Sequence, residues 1–245
     1  MKNYNPRSKA VQKIRNRLLG AKIAYRGKAH DKTVGMLAEK ALDLSENNVG
    51  KADLADGKNR PIEVKVHNSD SNTLQTLFTK NPPMVTRGVL SQYSYQDDKR
   101  NRRAFYHSFV NGKDSLFDLV MDRNTFELVP KNGPLIDAEG NPYRLIWEKK
   151  VIREIFEQKL ERLFSGSGQN VEYGDRNVFR YKDFGIYYEG FKSRAFWNLL
   201  RNGHIVIDFR CHQELDGVVR DHGIAFRVAR ENMHKLYEYN EVIRK

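Results

Sequence analysis

Between Pro61 and Val66 apolar and polar side chains alternate without a break, with Ile62, Val64 and Val66 set against Glu63 and Lys65. A period of two belongs to a β-strand with one buried face. It also makes the two charged groups project together, because residues i and i+2 of a strand share a side. A second short extended run, Ala52-Asp53-Leu54, stands upstream across the turn-forming Asp56-Gly57-Lys58-Asn59. The expected unit is therefore a strand pair with an Asp on one strand and Glu-x-Lys on the next. A helix precedes it. From Asp31 to Leu44, Val34, Leu37, Ala38, Ala41 and Leu42 fall on one helical face, with Asp31 or Thr33 placed as N-cap.

The same two periods recur along the chain. Val11, Ile14, Leu18 and Leu19 predict an amphipathic helix from about Ser8 to Leu19. Arg103–Val110 and Ser115–Asp122 flank Asn111-Gly112-Lys113 as a hairpin, and Thr125–Val129 continues a β meander. Helix is expected over roughly Ile146–Leu163, then a flexible loop at Ser165-Gly166-Ser167-Gly168. A helix near Ser193–Arg201 leads through Asn202-Gly203 into an alternating strand, His204–Arg210, and the chain closes on a helix at Ala229–Tyr239. No repeat or linker stands out. The fold class is mixed α/β (α+β), one domain over 1–245 with a β-rich lobe. At 39% hydrophobic and 11% aromatic, the chain has the material for a core.

Charge narrows the partner. Lys and Arg number 43 against 31 Asp and Glu, a net +12. That excess repels itself in a compact fold unless a polyanion is met, and nucleic acid is the expected one. Residues 1–30 form a basic arm: Lys2, Arg7, Lys9, Lys13, Arg15, Arg17, Lys22, Arg26 and Lys28, with no acid among them. The single cysteine, Cys211, excludes an intrachain disulfide and fits a reducing compartment. With no signal-peptide core and no spanning segment, the protein is expected to be soluble and cytoplasmic, with no membrane partner.

Phosphodiester hydrolysis needs a divalent cation to neutralise phosphate charge and activate water. Magnesium takes carboxylate oxygens and keeps several waters, so two acids with a lysine beside them suffice. Asp53, Glu63 and Lys65 offer that set. Glu-x-Lys also occurs at Glu148/Lys150 and Glu157/Lys159. Those lie in or beside an expected helix, where i and i+2 diverge by about 200°, and read as surface charges. On pattern alone, an ordinary solvent-facing Glu/Lys pair at 63 and 65 stands equal to catalysis. The run Phe184-Gly185-Ile186-Tyr187-Tyr188-Glu189-Gly190 fuses what a GIY-YIG nuclease keeps apart, and reads as an aromatic core strand. Cys211 and His212 are adjacent on a strand and face opposite ways, against a thiol nucleophile. One cysteine and scattered histidines argue against zinc.

Several blocks carry a resemblance. They are Val34-Gly35-Met36-Leu37-Ala38-Glu39, Asn47-Asn48, Ile62-Glu63-Val64-Lys65-Val66-His67 and Thr76-Leu77-Phe78-Thr79-Lys80-Asn81-Pro82. Downstream come Asn202 to Arg210, then Asp221-His222-Gly223-Ile224-Ala225-Phe226-Arg227. In this order, over roughly residues 30–240, the chain resembles the MvaI/BcnI restriction-endonuclease family, itself similar to the mismatch-repair nicking enzyme MutH. The resemblance implies a PD-(D/E)XK core, a mixed central sheet flanked by helices, with a β-rich DNA-recognition lobe. About 31–100 would hold the catalytic core, and about 101–245 the remaining core and the recognition lobe. It implies Mg²⁺ held by Asp53 and Glu63, with Lys65 orienting the water and Glu39 supporting the metal site. The Asp53-to-Glu63 spacing is longer than the family's, which makes Asp56 a rival first carboxylate.

Guanine is read by Arg forks and cytosine by acids in the major groove. Asp208 and Arg210, then Asp221, His222 and Arg227, supply both, although such a cluster is equally a surface ion-pair network on residue types alone. By family position they read DNA, while Lys80, Arg87 and the basic arm contact phosphates. The resemblance further implies a monomeric type II enzyme that nicks the strands of a CC(S or W)GG site in turn, paired with a cognate methyltransferase. Thr79, where some members carry His, favours CC/WGG; Arg220 departs from the relatives' His. A MutH-like nicking enzyme and a non-catalytic DNA-binding module remain the alternatives.

Overall fold

The computed structural model describes residues 8–26, 31–44, 52–55, 60–71, 74–82, 89, 92–137, 140–173 and 176–245. Along the chain run α1 (Lys9–Lys13), β1 (Lys22–Tyr25), α2 (Asp31–Ala41), β2 (Leu54–Ala55), β3 (Pro61–Asn68) and β4 (Gln75–Thr79). A strand-rich stretch follows: β5 (Tyr95–Asp97), β6 (Arg102–Phe109), β7 (Phe117–Met121), β8 (Thr125–Pro130), β9 (Leu135–Ile136), β10 (Pro142–Tyr143) and β11 (Leu145–Glu148). The remainder holds α3 (Lys149–Ile155), β12 (Arg162–Tyr173), β13 (Arg176–Phe191), α4 (Ser193–Arg201), β14 (Ile205–Gln213), β15 (Val219–Asp221), β16 (Ala225–Val228) and β17 (Tyr237–Arg244). The fold is mixed α+β. Two compact units interleave in sequence. One comprises Met1–Thr73, Ile155–Lys192 and His234–Lys245, the other Leu74–Glu154 and Ser193–Met233. Among the described residues no helix is long and apolar enough to cross a membrane.

The first unit is built on one mixed sheet of order β1-β13-β12-β3-β2, with β17 also paired to β13. Its parallel pair is β3 with β12, in the register Leu163↔Glu63 and Ser165↔Lys65. Ile62 is buried in the cluster made by Val11, Ile14, Leu18, Val34, Ala38, Phe164 and Tyr187, with Val64 and Val66 packed against it. The alternation of β3 thus turns one face toward α1 and α2 and sends Glu63 and Lys65 to the other. Ser8 caps α1 by accepting from the Val11 N–H, and the helix continues as a π-helical turn, Ile14–Leu18. The hydroxyl of Tyr181 donates to the Val34 carbonyl of α2 at 2.9 Å, bonding sheet to helix.

Ser165-Gly166-Ser167-Gly168, expected as a flexible loop, is the interior of β12, hydrogen-bonded on both edges. Its glycines answer a packing demand. A Cβ on Gly168 would stand 2.5 Å from the Arg180 carbonyl and 2.4 Å from the Phe179 ring, and one on Gly185 would stand 2.3 Å from Phe164.

In the second unit an antiparallel sheet of order β4-β16-β14-β6-β5 carries β15 on β14, beside the three-stranded β11-β8-β7 and the pair β9-β10. Its core is aromatic: Phe78 stacks on Phe226 at 4.6 Å and Phe126 on Trp147 at 4.9 Å. Each such ring contributes about 1.5–3 kcal/mol by burial.

The strands flanking Asn111-Gly112-Lys113 exist but do not form the expected hairpin. Here β6 pairs with β14 and β5, and β7 pairs with β8. The Asn111 side chain donates instead to the Arg201 carbonyl of α4. The observed hairpin turns at Asp122, whose carboxylate accepts from the N–H groups of Asn124 and Thr125. The helix expected from Ile146 starts at Lys149, because Leu145–Glu148 is a strand on β8. The closing helix is a 3₁₀ segment, Arg230–Leu236, that gives way to β17.

Candidate active site

Glu63 is 2% exposed on the face of β3 away from α2. The Lys65 Nζ lies 2.5 Å from its Oε1, the pairing that the i, i+2 spacing dictates. The Asp53 Oδ2 accepts the Val64 backbone N–H at 2.7 Å. Since Leu54 pairs with Ile62, this fixes Asp53 beside Glu63. Burial raises the Glu63 pKa, Lys65 lowers it, Asp53 raises it and Lys159 lowers it. Two carboxylates and one ammonium group thus converge as the alternation predicts. Glu39 stands partly exposed on α2. Asp56 and Asn47-Asn48 lie outside the described residues, as do Arg87 and Lys2, Arg7 and Lys28 of the arm.

The donor set suits a hard divalent cation. The Glu63 Oε2 is buried without a hydrogen-bond partner, an acceptor left open beside a second carboxylate. Among the described residues no group of three or more His, Cys, Asp or Glu forms a closed cage. Magnesium, which is held through one or two carboxylates and keeps its waters, does not require one.

In the second unit Thr79, Asp208, Arg210, Arg220 and Arg227 share one sheet face, while Asp221 stands in register with Cys211 of the other. Register places Asp208 beside Ala225 and Ser108, Ala225 beside Thr79, Arg227 beside Val206, and Arg220 beside His212. Ile207, Phe209, Phe226 and Phe105 fill the opposite, buried face. The Arg227 Nη1 donates to the Asp208 Oδ2 at 2.6 Å and its Nη2 to the Leu74 carbonyl at 2.9 Å, while the Ser108 hydroxyl donates to the other Asp208 oxygen. Asp208 is therefore a buried orienter of a partly exposed guanidinium. Arg210 accepts the His222 N–H on its carbonyl, which ties the tip Asp221-His222 to β14. Asn81 locks the same tip, donating to Asp221 and accepting from the Ile224 N–H. Thr79 and Lys80 are exposed next to it. Burial, then His212 and Arg210, lower the His222 pKa, so its imidazole is neutral at pH 7. Burial pushes the Cys211 thiol up to about 12, which leaves it protonated and no nucleophile.

The MvaI/BcnI restriction endonuclease family model matches residues 15–237. The chain belongs to that family. Among solved structures it is similar to the restriction endonuclease MvaI–cognate DNA substrate complex, with a TM-score of 0.74 at 20% identity over 94% of this chain and 95% of that one. Restriction endonuclease MvaI in the absence of DNA matches with a TM-score of 0.50 at 20% identity, over 95% of each chain. No curated protein matches the chain.

Beside the residues expected from sequence, this family member brings others to its sites. Lys159, read from sequence as a surface charge, stands 3.4 Å from the Glu63 Oε1. Its approach depends on a π turn, Phe156–Leu160, that leaves no mark in a helical period. Tyr237 is buried within electrostatic reach of Glu63, and its hydroxyl has no partner. In the second unit Tyr106 hydrogen-bonds His212, which bonds Glu214 in turn. Glu148 and Lys150 are exposed, as read.

Proposed function

We propose that the chain is a Mg²⁺-dependent type II endonuclease of PD-(D/E)XK architecture that cuts both strands of a short double-stranded DNA site. The observation that carries this reading is the convergence of Asp53, Glu63 and Lys65, with one buried Glu63 oxygen left open. Asp53 and Glu63 would hold the cation, which when bound neutralises phosphate charge and lowers the pKa of a water. Lys65, already aimed at Glu63, then turns to the attacking water and to the charge growing on the phosphate. Burial of Glu63 keeps bulk water from weakening these interactions. The family position assigns Glu39 a supporting part at the metal, although α2 packs against the face of β3 opposite Glu63.

In the second unit, Arg210 and the Asp208-held Arg227 read base edges, with Asp221, His222 and Arg220 beside them. Thr79 faces the central pair, favouring CC/WGG, and Lys80 contacts phosphate. The MvaI complex with its cognate DNA supports double-stranded DNA as the partner. We further read the enzyme as a monomer that nicks the strands sequentially and works opposite a cognate methyltransferase.

Purified protein with Mg²⁺ and unmethylated plasmid, beside a Lys65→Ala control, tests the reading. Discrete fragments with common ends, absent from the control, are expected. Intact DNA alongside tight, salt-sensitive binding would replace it with a binding module or a partner-dependent nicking enzyme.

A further inference from the structure

Glu63 offers a single carboxyl group and meets two lysines on one of its oxygens. Lys65 stands 2.5 Å from Oε1 and Lys159 3.4 Å from the same atom, while Oε2 has no partner. A strand pair Glu-x-Lys accounts for the first lysine. The second arrives from another element, the π turn Phe156–Leu160, in which Phe156 and Leu160 are buried and anchor the backbone. A π turn inserts one residue into the helical repeat, and such insertions are frequent at functional sites because they re-aim a side chain. Here the side chain re-aimed is Lys159, 24% exposed and directed at the one buried carboxylate of β3. Both lysines lower the Glu63 pKa, against the larger effect of burial.

We propose that Lys159 is a second ammonium group of the catalytic site, one that occupies Glu63 until a divalent cation displaces it and then turns to the phosphodiester. This deepens the nuclease reading and rests on it. A divalent cation at the open Oε2 would stand within a carboxylate's width of both ammonium groups on Oε1, and repulsion between like charges there releases the more loosely held one, Lys159. The anion available to a released ammonium in a DNA complex is the phosphate at the metal. Lys159 therefore opposes metal binding in the free protein and assists the reaction once DNA is present. A lysine that only packs the helix would not act in opposite directions on those two quantities.

The test compares wild type, Lys159→Gln and Lys159→Arg. Calorimetry with Ca²⁺ and DNA-free protein reads metal affinity, single-turnover plasmid cleavage with Mg²⁺ reads the reaction, and thermal melts check the fold. For Lys159→Gln, Ca²⁺ binding about 3- to 10-fold tighter and cleavage about 10- to 100-fold slower are expected, with Lys159→Arg near wild type in both. Unchanged or weaker Ca²⁺ binding by Lys159→Gln overturns the proposal, as does cleavage within about twofold of wild type. Should wild type itself leave DNA uncut, the nuclease reading falls, and the Ca²⁺ titration still decides whether Lys159 competes for Glu63.

Discussion

Glu63 is held by opposed forces that leave it costly in the free protein. Burial, the largest influence, and Asp53 together hold its carboxyl above the ordinary value against the downward pull of Lys65 and Lys159. A folded value above the unfolded one means the folded chain keeps this proton longer. Its contribution to stability is then greatest below the unfolded pKa and declines as pH climbs through the folded one. At pH 7, above the unfolded value, the buried carboxyl opposes folding until a cation reaches it. Glu63→Gln should therefore abolish cleavage while raising the melting temperature by about 2–4 °C, the shift that ~1 kcal/mol gives in a chain of this size. Mg²⁺ should stabilise wild type against heat and leave the variant unmoved. Melts at pH 7 with and without Mg²⁺ check both; a variant that melts below wild type would mean that the two lysines outweigh burial. Asp208 shows the opposite arrangement, its charge met by Arg227 and Ser108 at hydrogen-bond distance.

Among the elements, β12 decides where Glu63 stands, since β3 is bonded to it in parallel register from Leu163 to Gly168. Gly168 lets β12 approach β13 closely, and a methyl there would meet the Arg180 backbone carbonyl, which has no rotamer to yield. Gly168→Ala should cost about 1–3 kcal/mol and slow cleavage by shifting β3, whereas Gly112→Ala, with open space around it, strains its own turn through positive φ and leaves cleavage unchanged. Urea unfolding and plasmid cleavage of the two variants separate these effects. The same strand marks the limit of reading by pattern. Period-two alternation revealed β3 and helical spacing revealed α2, because Ile62 of the one and Val34, Leu37 and Ala38 of the other meet in one apolar cluster. Ser165–Gly168 has too little side chain to show any period, and its strand character comes from its pairing with β13 and with the distant β3. Asn111-Gly112 has turn chemistry without a hairpin, since strand pairing depends on which edges are free. For the candidate site, spacing brought Asp53, Glu63 and Lys65 together without separating them from an ordinary Glu/Lys pair, which only the family resemblance did, while Lys159 was hidden by a π turn and Tyr237 by burial. The pairing of Asp208 with Arg227 rests on cross-strand register that composition does not encode.

For the molecule as a whole, the net charge of +12 sets how it meets DNA. Each phosphate neutralised by Lys or Arg releases condensed counterions, so the logarithm of affinity falls with the logarithm of salt by about 0.9 per contact. If six or more phosphates are engaged, binding should weaken about 10³-fold or more between 50 and 200 mM salt. The basic arm invites truncation as a test, but Val11, Ile14 and Leu18 are buried in the core of the first unit, so truncation would confuse charge with folding. Lys9 and Arg26 are exposed, and changing them leaves that core intact. The double variant Lys9→Gln/Arg26→Gln should keep its melting temperature and its cleavage site. Its salt slope, measured by fluorescence anisotropy on specific and scrambled duplexes, should fall by about two units on both. A slope that does not change would remove the arm from the DNA interface and leave the positive charge of the second unit, Lys80 included, to carry the phosphate contacts. A slope that changes on the specific duplex alone would make the arm a reader of sequence rather than a holder of backbone.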